Sequence, residues 1–219
     1  MARDRFNADD QMLRFILFAD QLSAWFGKSF AWLVMLMTLG MTYEVVVRYI
    51  FNNPTPWAYE LSFIMYGALF MVGGAYTLSR NGHVRGDFIY RMWPVRMQGA
   101  VDLVLYFLFF FPGVTALIFS GWKYAARSVR YGEVSASSPA GIPIYQFKAV
   151  MVLAGALLFI QGIAQVLRCI LAIRDGQWHE PAPDVEETEI LAMQERGEDF
   201  IHHPDHIEAK GASGASSTR

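Results

Sequence analysis

The sequence has little charge and almost no cysteine, and each shortage excludes a class of protein. Only 17% of the 219 residues are charged, against roughly 25% in an average soluble domain. Cys169 is the single cysteine, which excludes an intrachain disulfide framework and a multi-thiolate metal site. The net charge is −2, so no excess of basic residues indicates a nucleic-acid partner. We therefore expect no nucleic acid among the partners.

Histidine is missing from every long apolar stretch of the chain. The five histidines are His83, His179, His202, His203 and His206. A membrane cytochrome needs axial haem ligands within the bilayer, and a membrane hydrolase needs a nucleophile beside a base. Because neither arrangement is available, we predict no catalytic residue, no cofactor and no metal site.

The chain does contain four long apolar stretches, at about residues 22–51, 57–79, 97–123 and 146–172. A bilayer core of roughly 30 Å requires about 20 helical residues. A soluble helix of that length would carry a polar face, which these stretches largely lack. The prediction is an all-α integral membrane bundle of four transmembrane helices, with residues 22–172 as the membrane domain.

The segments that flank this domain are more polar. Residues 1–21 are predicted to be a cytoplasmic N-terminal segment. The apolar stretch 12–26 fits either an interfacial helix or the start of one long tilted helix. Residues 173–219 form an acidic tail rich in glycine and serine, which is typical of a largely disordered segment.

The distribution of lysine and arginine predicts the orientation of the spans. Ten of these residues lie near the first residues of the chain, in the 80–96 connection or after the last span, where Arg168 and Arg174 are counted. Five lie at the opposite connections. Because positive charge is retained in the cytoplasm, both termini are predicted to be cytoplasmic.

The connection between the second and third spans carries a dense positive cluster. Val84, Phe88 and Met92 recur at helical spacing, and Asp87 and Arg91 form an i,i+4 pair on another face. With His83 and Arg85, these residues predict a short interfacial helix beside anionic lipid. The alternative is a charged connecting loop.

Three ionisable residues lie near the opposite ends of the first two spans. Glu44 and Arg48 are four residues apart, and Glu60 lies one turn into the second span. We predict that Arg48 bridges the two acids in a hydrated structural cluster, because an unpaired charge is costly in hydrocarbon. A cation or proton site is the alternative.

Small residues are placed one heptad apart on two spans. Gly67 and Gly74 share a face of the second span, and Gly155 and Gly162 share a face of the fourth. Small faces allow close helix approach in lipid, so these glycines are candidates for packing within the bundle or against another membrane protein.

An ordered set of short motifs resembles the small membrane subunit of tripartite ATP-independent periplasmic (TRAP) transporters. The resemblance covers roughly residues 20 to 172. Its positions are Arg48-Tyr49, Phe51, Trp57, Glu60, Gly73, the run Gly82-His83-Val84-Arg85 with Asp87, Trp122, Gly132-Glu133, Ser135, the run Ser138-Pro139-Ala140-Gly141-Ile142-Pro143, Phe147-Lys148 and Gln161-Gly162. Residues 137–143, with the sequence SSPAGIP, resemble the branch associated with mannitol and chloroaromatic compounds.

The resemblance implies a three-part importer in the bacterial inner membrane. A periplasmic solute-binding protein would capture an organic acid or related solute, and a large membrane subunit would move it with a sodium gradient. The small subunit would pack against the large one among membrane lipids and perform no chemistry. Its candidate surface for docking the periplasmic protein is basic and contains Lys123, Arg127, Arg130 and Lys148.

Three other functions compete with this one. A self-contained carrier or channel would normally have two matching interrupted helices around a midplane site, whereas only Phe111-Pro112-Gly113 interrupts a span. A membrane enzyme or electron-transfer subunit would need intramembrane ligands. A membrane scaffold without a transporter partner is the third alternative.

Overall fold

A computed structural model describes residues 2–80, 92–136 and 139–178, with side chains from residue 9 onward. Five α-helices account for most of these residues: α1 (Ala2–Ile50), α2 (Ala58–Ser79), α3 (Val95–Leu105), α4 (Phe111–Tyr131) and α5 (Tyr145–Asp175). A π-helical turn, Tyr106–Phe110, joins α3 to α4. The described residues contain no β-strand, only an isolated bridge between Val134 and Pro143.

Four helical segments are long and apolar enough to cross a membrane, which confirms the predicted all-α membrane bundle. They are Asp9–Ile50, Ala58–Ser79, Val95–Tyr131 and Tyr145–Asp175. Three of them extend beyond the bounds predicted from sequence, because polar residues continue each helix past its apolar stretch. The predicted interfacial helix lies within residues 81–91, outside the described residues.

The bundle has two ends, which we name by the segments they contain. The distal end holds the connections at 51–57 and 132–144. The terminal end holds the start of α1, the end of α2, the start of α3 and the end of α5.

The first helix is continuous from Ala2 to Ile50. Neither proline nor glycine occurs before Gly27, so nothing breaks the backbone between the N-terminal segment and the first span. Ile16 and Ala19 are buried against Ala164 and Leu171 of α5. This contact holds the N-terminal part of α1 along the bundle, which answers the question left open for residues 12–26 in favour of one long helix.

The central helix of the bundle is α5. In the most apolar 18-residue stretch of α5, 44% of the residues are buried, whereas 6% are buried in the corresponding stretch of α1. A second core cluster joins Ala154 and Leu157 of α5 to Val72 and Ala75 of α2. The outward faces of the other helices therefore remain uncovered within this chain.

The third span stays helical through Pro112, but its backbone hydrogen-bonding pattern changes just before this proline. Proline has no N–H to donate to the carbonyl four residues earlier, and its ring crowds that carbonyl. The π-helical turn Tyr106–Phe110 lies directly before this point and widens the helix locally, as π-bulges do. The interruption expected at residues 111–113 is a bulge in one continuous span.

Left-handed residues end the helices at the connections. Asn52 has φ 49°, Gly132 has φ 58° and Gly176 has φ 76°. Glycine and asparagine are the residues that adopt this conformation at helix C-termini with least strain. The N–H of Asn53 donates to the carbonyl of Val47 at 3.3 Å, which closes α1 at the distal end.

Candidate functional site

A buried polar cluster ties α1, α2 and α5 together near the terminal end. Ser23 Oγ donates to Gln161 Oε1 at 2.9 Å, and Gln161 Nε2 donates to Asp20 Oδ1 at 2.8 Å. Arg168 donates to the other carboxylate oxygen of Asp20. Gln165 Nε2 completes the cluster by donating to the carbonyl of Leu78 at 2.8 Å.

This cluster provides hydrogen-bond partners for polar groups that would otherwise have none within the bilayer. The last carbonyls of a helix have no partner within it, and Gln165 and Arg168 reach the carbonyls of Leu78 and Ser79 at the end of α2. A charge in hydrocarbon is tolerated only when paired or hydrated, and the Asp20–Arg168 pair meets that condition. The cluster therefore fixes the relative positions of three helices.

The prediction that Arg168 follows the last span was wrong. Arg168 lies inside α5 and is 2% exposed. A signal was present in the sequence. Gln161, Gln165 and Arg168 recur at positions i, i+4 and i+7, so they share one face of α5, and Asp20 is an isolated acid within an apolar stretch of α1.

The predicted boundary cluster at the distal end forms only in part. Arg48 Nε and Nη2 both donate to Glu44 Oε1, at 2.9 and 2.7 Å. The second oxygen of Glu44 accepts from the N–H of Thr55 at 3.0 Å and from its hydroxyl. Glu44 thus fastens the 51–57 connection to the end of α1.

The prediction that Arg48 bridges the two acids was wrong, because both of its bonds go to Glu44. Among the described residues, Glu60 is not bonded to Arg48. Its Oε2 atom is buried and has no hydrogen-bond partner within the structure described here. Glu60 forms part of the wall of a cavity of about 630 Å³ between α2 and the start of α5.

The second distal connection is held by an ion pair. Lys148 Nζ donates to Glu133 Oε2 at 2.5 Å and lies 3.8 Å from the centre of the Tyr124 ring. The bond from Lys148 holds the pKa of the Glu133 carboxyl below its ordinary value of 4.5. The N–H of Ser135 donates to the carbonyl of Ile142 at 2.8 Å, which closes the connection as a short hairpin.

Lys148 therefore differs from the other three residues of the predicted basic surface. It is 4% exposed and committed to Glu133, so its charge is not available for docking. Lys123, Arg127 and Arg130 are exposed along α4. The described basic surface consists of these three residues.

The four candidate packing glycines have different surroundings. A Cβ atom at Gly67 would lie 2.7 Å from Cζ of Phe147, and one at Gly155 would lie 2.9 Å from Cγ1 of Ile118. A Cβ atom at Gly162 would overlap the ring of Phe110. These three glycines thus permit close contacts within the chain.

Gly74 has open space around it instead. No atom lies within 4 Å of a Cβ built at Gly74 or at Gly73. Both residues line a groove of about 1050 Å³ between α2 and the third span, with Leu69 and Phe109 on its apolar walls. This face of α2 is available to lipid or to another protein.

Two further predicted features concern ligands at the surface. The interfacial motif of His83, Arg85, Asp87 and Arg91 lies outside the described residues. Within residues 2–80, 92–136 and 139–178, no group of three histidine, cysteine, aspartate or glutamate residues is placed to hold a metal ion.

Comparison with known proteins identifies the family. Residues 37–172 match the profile of the family described as "Tripartite ATP-independent periplasmic transporters, DctQ component". The chain belongs to this family. It is thus a small permease subunit of a TRAP transporter and not an enzyme, as the motifs predicted. The match begins within α1 and ends at residue 172, three residues before the end of α5.

A curated relative agrees with this assignment over a shorter segment. The C4-dicarboxylate TRAP transporter small permease protein DctQ of Vibrio cholerae is 31% identical to this chain over an aligned segment of 68 residues. That segment makes up 31% of this chain. The aligned segment spans 29% of that relative's length. Family and helices together make the chain a multi-pass protein of the inner membrane.

Proposed function

We propose that this small permease subunit assembles with a large membrane subunit and a periplasmic solute-binding protein, and that it contributes contact surfaces rather than a transport pathway. The family match over residues 37–172 carries the proposal, because TRAP transporters are tripartite by definition. The subunit would hold its large partner in the bilayer and help to dock the periplasmic protein.

The packing of the bundle supports this role. The described polar side chains within the spans pair mainly with one another, as Asp20 does with Arg168 and Glu44 with Arg48. These pairs link neighbouring helices and connections. Apolar faces on α1 and α2 remain uncovered by this chain, with Trp32 and Phe70 both at least 70% exposed. Surfaces of this kind suit contact with lipid and with a partner's helices.

The proposed orientation puts both termini in the cytoplasm. The count of lysine and arginine residues favours this orientation. Because Arg168 is buried in the bundle, it no longer counts at the terminal end, but that end still has more of these residues than the distal end. The distal end then faces the periplasm. Lys123, Arg127 and Arg130 would lie near that surface, where a basic patch steers an acidic protein toward the complex.

The transported solute is proposed to be an organic acid or related compound, driven by an ion gradient and with sodium as the expected ion. The name of the Vibrio cholerae relative refers to C4-dicarboxylates, which belong to this chemical class. The mannitol and chloroaromatic branch suggested by residues 137–143 stays a prediction.

Affinity purification in mild detergent tests the proposal. The small subunit, tagged and produced from its own genomic context, is expected to bring down a large polytopic permease. Vesicles that contain both, with the solute-binding protein added, should take up solute when an ion gradient is imposed. Uptake by the small subunit alone would favour the self-contained carrier, and recovery without any permease would favour a scaffold.

A further inference from the structure

The cavity beside Glu60 has the features of a binding site. It lies at the distal end and has a volume of about 630 Å³, within the range of ligand-binding pockets in proteins. Its lining includes Pro56, Tyr59, Glu60, Phe63 and Phe147. The site is therefore one carboxylate surrounded by aromatic and apolar groups.

The carboxylate in this cavity is incompletely satisfied. Glu60 Oε2 is buried and has no hydrogen-bond partner among the described residues. A buried acceptor without a partner costs free energy, and more so when it is charged. A group that donates hydrogen bonds and carries positive charge would remove that cost.

Two cations at this end of the chain already have partners. Arg48 is bonded through two nitrogens to Glu44, and Lys148 is bonded to Glu133. If either cation bonded to Glu60 instead, the acid with which it now pairs would lose its partner. Lys123, Arg127 and Arg130 of α4 are not part of the cavity lining. A complementary cation is therefore better supplied from outside the chain.

The aromatic side chains favour a cation of a particular kind. The rings of Tyr59 and Phe63 lie 5.7 Å apart, and both side chains remain about two-thirds exposed, at 65% and 64%. Aromatic faces attract ammonium and guanidinium groups, while the carboxylate accepts their hydrogen bonds. Together these groups suit the side chain of an arginine or a lysine.

The position of the cavity indicates which partner supplies that side chain. Its lining on α2 extends from Tyr59 to Gly67, which is about 12 Å along a helix. Much of it therefore lies beside α2 within the span, where a membrane protein can reach it and a soluble protein cannot.

We propose that this cavity receives an arginine or lysine side chain of the large permease subunit, with Glu60 as its counter-ion. The proposal rests on the proposed function, since it requires that partner. Glu60 would thus serve recognition between subunits, and its carboxylate would be satisfied only in the complex.

The variant Glu60→Gln tests this, because it removes the charge and keeps the size of the side chain. Its affinity for the purified large subunit in detergent is expected to fall at least tenfold, as for the loss of a buried charge pair at an interface. The melting temperature of the isolated variant should stay the same or rise, because an incompletely satisfied acid has been removed. Unchanged affinity would overturn the proposal, and so would a lower melting temperature of the isolated variant.

Glu133→Gln is the matched control at the same end of the bundle. It removes the negative charge that pairs with Lys148, so it should lower the melting temperature of the isolated subunit, the opposite of Glu60→Gln. If the wild-type subunit fails to bind the large permease, the proposed function fails, and the inference fails with it. If the wild type binds and Glu60→Gln binds equally well, only the inference fails.

A photo-crosslinking amino acid in place of Phe63 identifies the occupant directly in the assembled transporter. Crosslinking to a peptide of the large subunit that contains arginine or lysine supports the proposal. Crosslinking to the periplasmic solute-binding protein instead would overturn it.

Discussion

Arg168 shows how one residue can determine the packing of three helices. It bonds to Asp20 of α1 and to the carbonyl of Ser79 at the end of α2. In hydrocarbon no water replaces these partners, so the loss of one member leaves the others unsatisfied. From the sequence alone, a residue such as Arg168 is interpreted as a charge at the end of a span. Only the packed bundle shows that α1 supplies the opposite charge.

Replacing Arg168 by leucine is expected to destabilise the subunit by about 3–5 kcal/mol, since the carboxylate of Asp20 is then buried without its cation. The double variant Asp20→Leu/Arg168→Leu should recover part of this loss, because the uncompensated charge is gone. Thermal unfolding in detergent measures both. A double variant less stable than Arg168→Leu would contradict the argument.

Arg174→Leu provides the control for that series. Arg174 also bonds to an acid on α1, Asp9, through two nitrogens at 2.7 and 2.6 Å. The side chain of Arg174 is 48% exposed, and solvent-exposed ion pairs contribute little to stability. This variant should melt close to the wild type. The contrast isolates burial as the cause.

Gly162 and Gly74 predict opposite results for the same substitution. Leucine at Gly162 would overlap Phe110, and overpacking of this kind costs about 1–3 kcal/mol. Leucine at Gly74 meets open space and has a helix propensity better than that of glycine by up to about 1 kcal/mol. Melting temperatures of the two isolated variants should move in opposite directions. Equal losses would show that the groove beside Gly74 is closed in the folded subunit.

At the scale of the element, the four spans could be predicted because a long apolar run in a chain of low charge is compatible with few structures other than a membrane-spanning helix. Their ends were less predictable. The helices continue through polar residues such as Asp9 and Arg130, since side-chain pairing and an aqueous boundary tolerate charge there. The π-helical turn was also missed, because proline in a sequence indicates a disturbed helix without showing whether the chain breaks, bends or bulges.

The boundary cluster shows the same limit at the distal end. The spacing of Glu44 and Arg48 predicts their i,i+4 contact. The position of Glu60 depends on how the 51–57 connection folds, and Thr55 takes the second oxygen of Glu44. Local spacing thus predicts contacts within a helix, whereas contacts between helices depend on the connection.

The connection between α4 and α5 is expected to weaken in acid. The pKa of Glu133 is lowered in the folded state by the bond from Lys148, so this contribution to stability is fully present above pH 4.5, the ordinary value. It is lost as the pH falls below that value through the lowered pKa. The difference in melting temperature between the wild type and Glu133→Gln should therefore be largest at pH 7 and shrink at pH 3. A difference independent of pH would contradict this account.

For the whole molecule, the sequence allowed the architecture and the family to be predicted, but not the role of the polar residues within the spans. An isolated Asp20 or Gln161 has no obvious partner in a list of apolar stretches. In the folded chain these residues meet because α1 and α5 run antiparallel through the same depth of the bundle. The functional candidates that depend on other proteins, such as Lys123 and Gly74, lie on surfaces that this chain leaves open.

The proposed orientation can be measured with cysteines, because the native Cys169 is 1% exposed and gives little background. Ala136→Cys lies exposed in the distal connection, and Met92→Cys lies exposed at the terminal end, where the native side chain is 79% exposed. If the termini are cytoplasmic, an impermeant maleimide added to the outside of spheroplasts should label position 136 at once and position 92 only after permeabilisation. The reversed labelling pattern would place the termini in the periplasm. In that case Lys123, Arg127 and Arg130 would face the cytoplasm and could not dock the solute-binding protein.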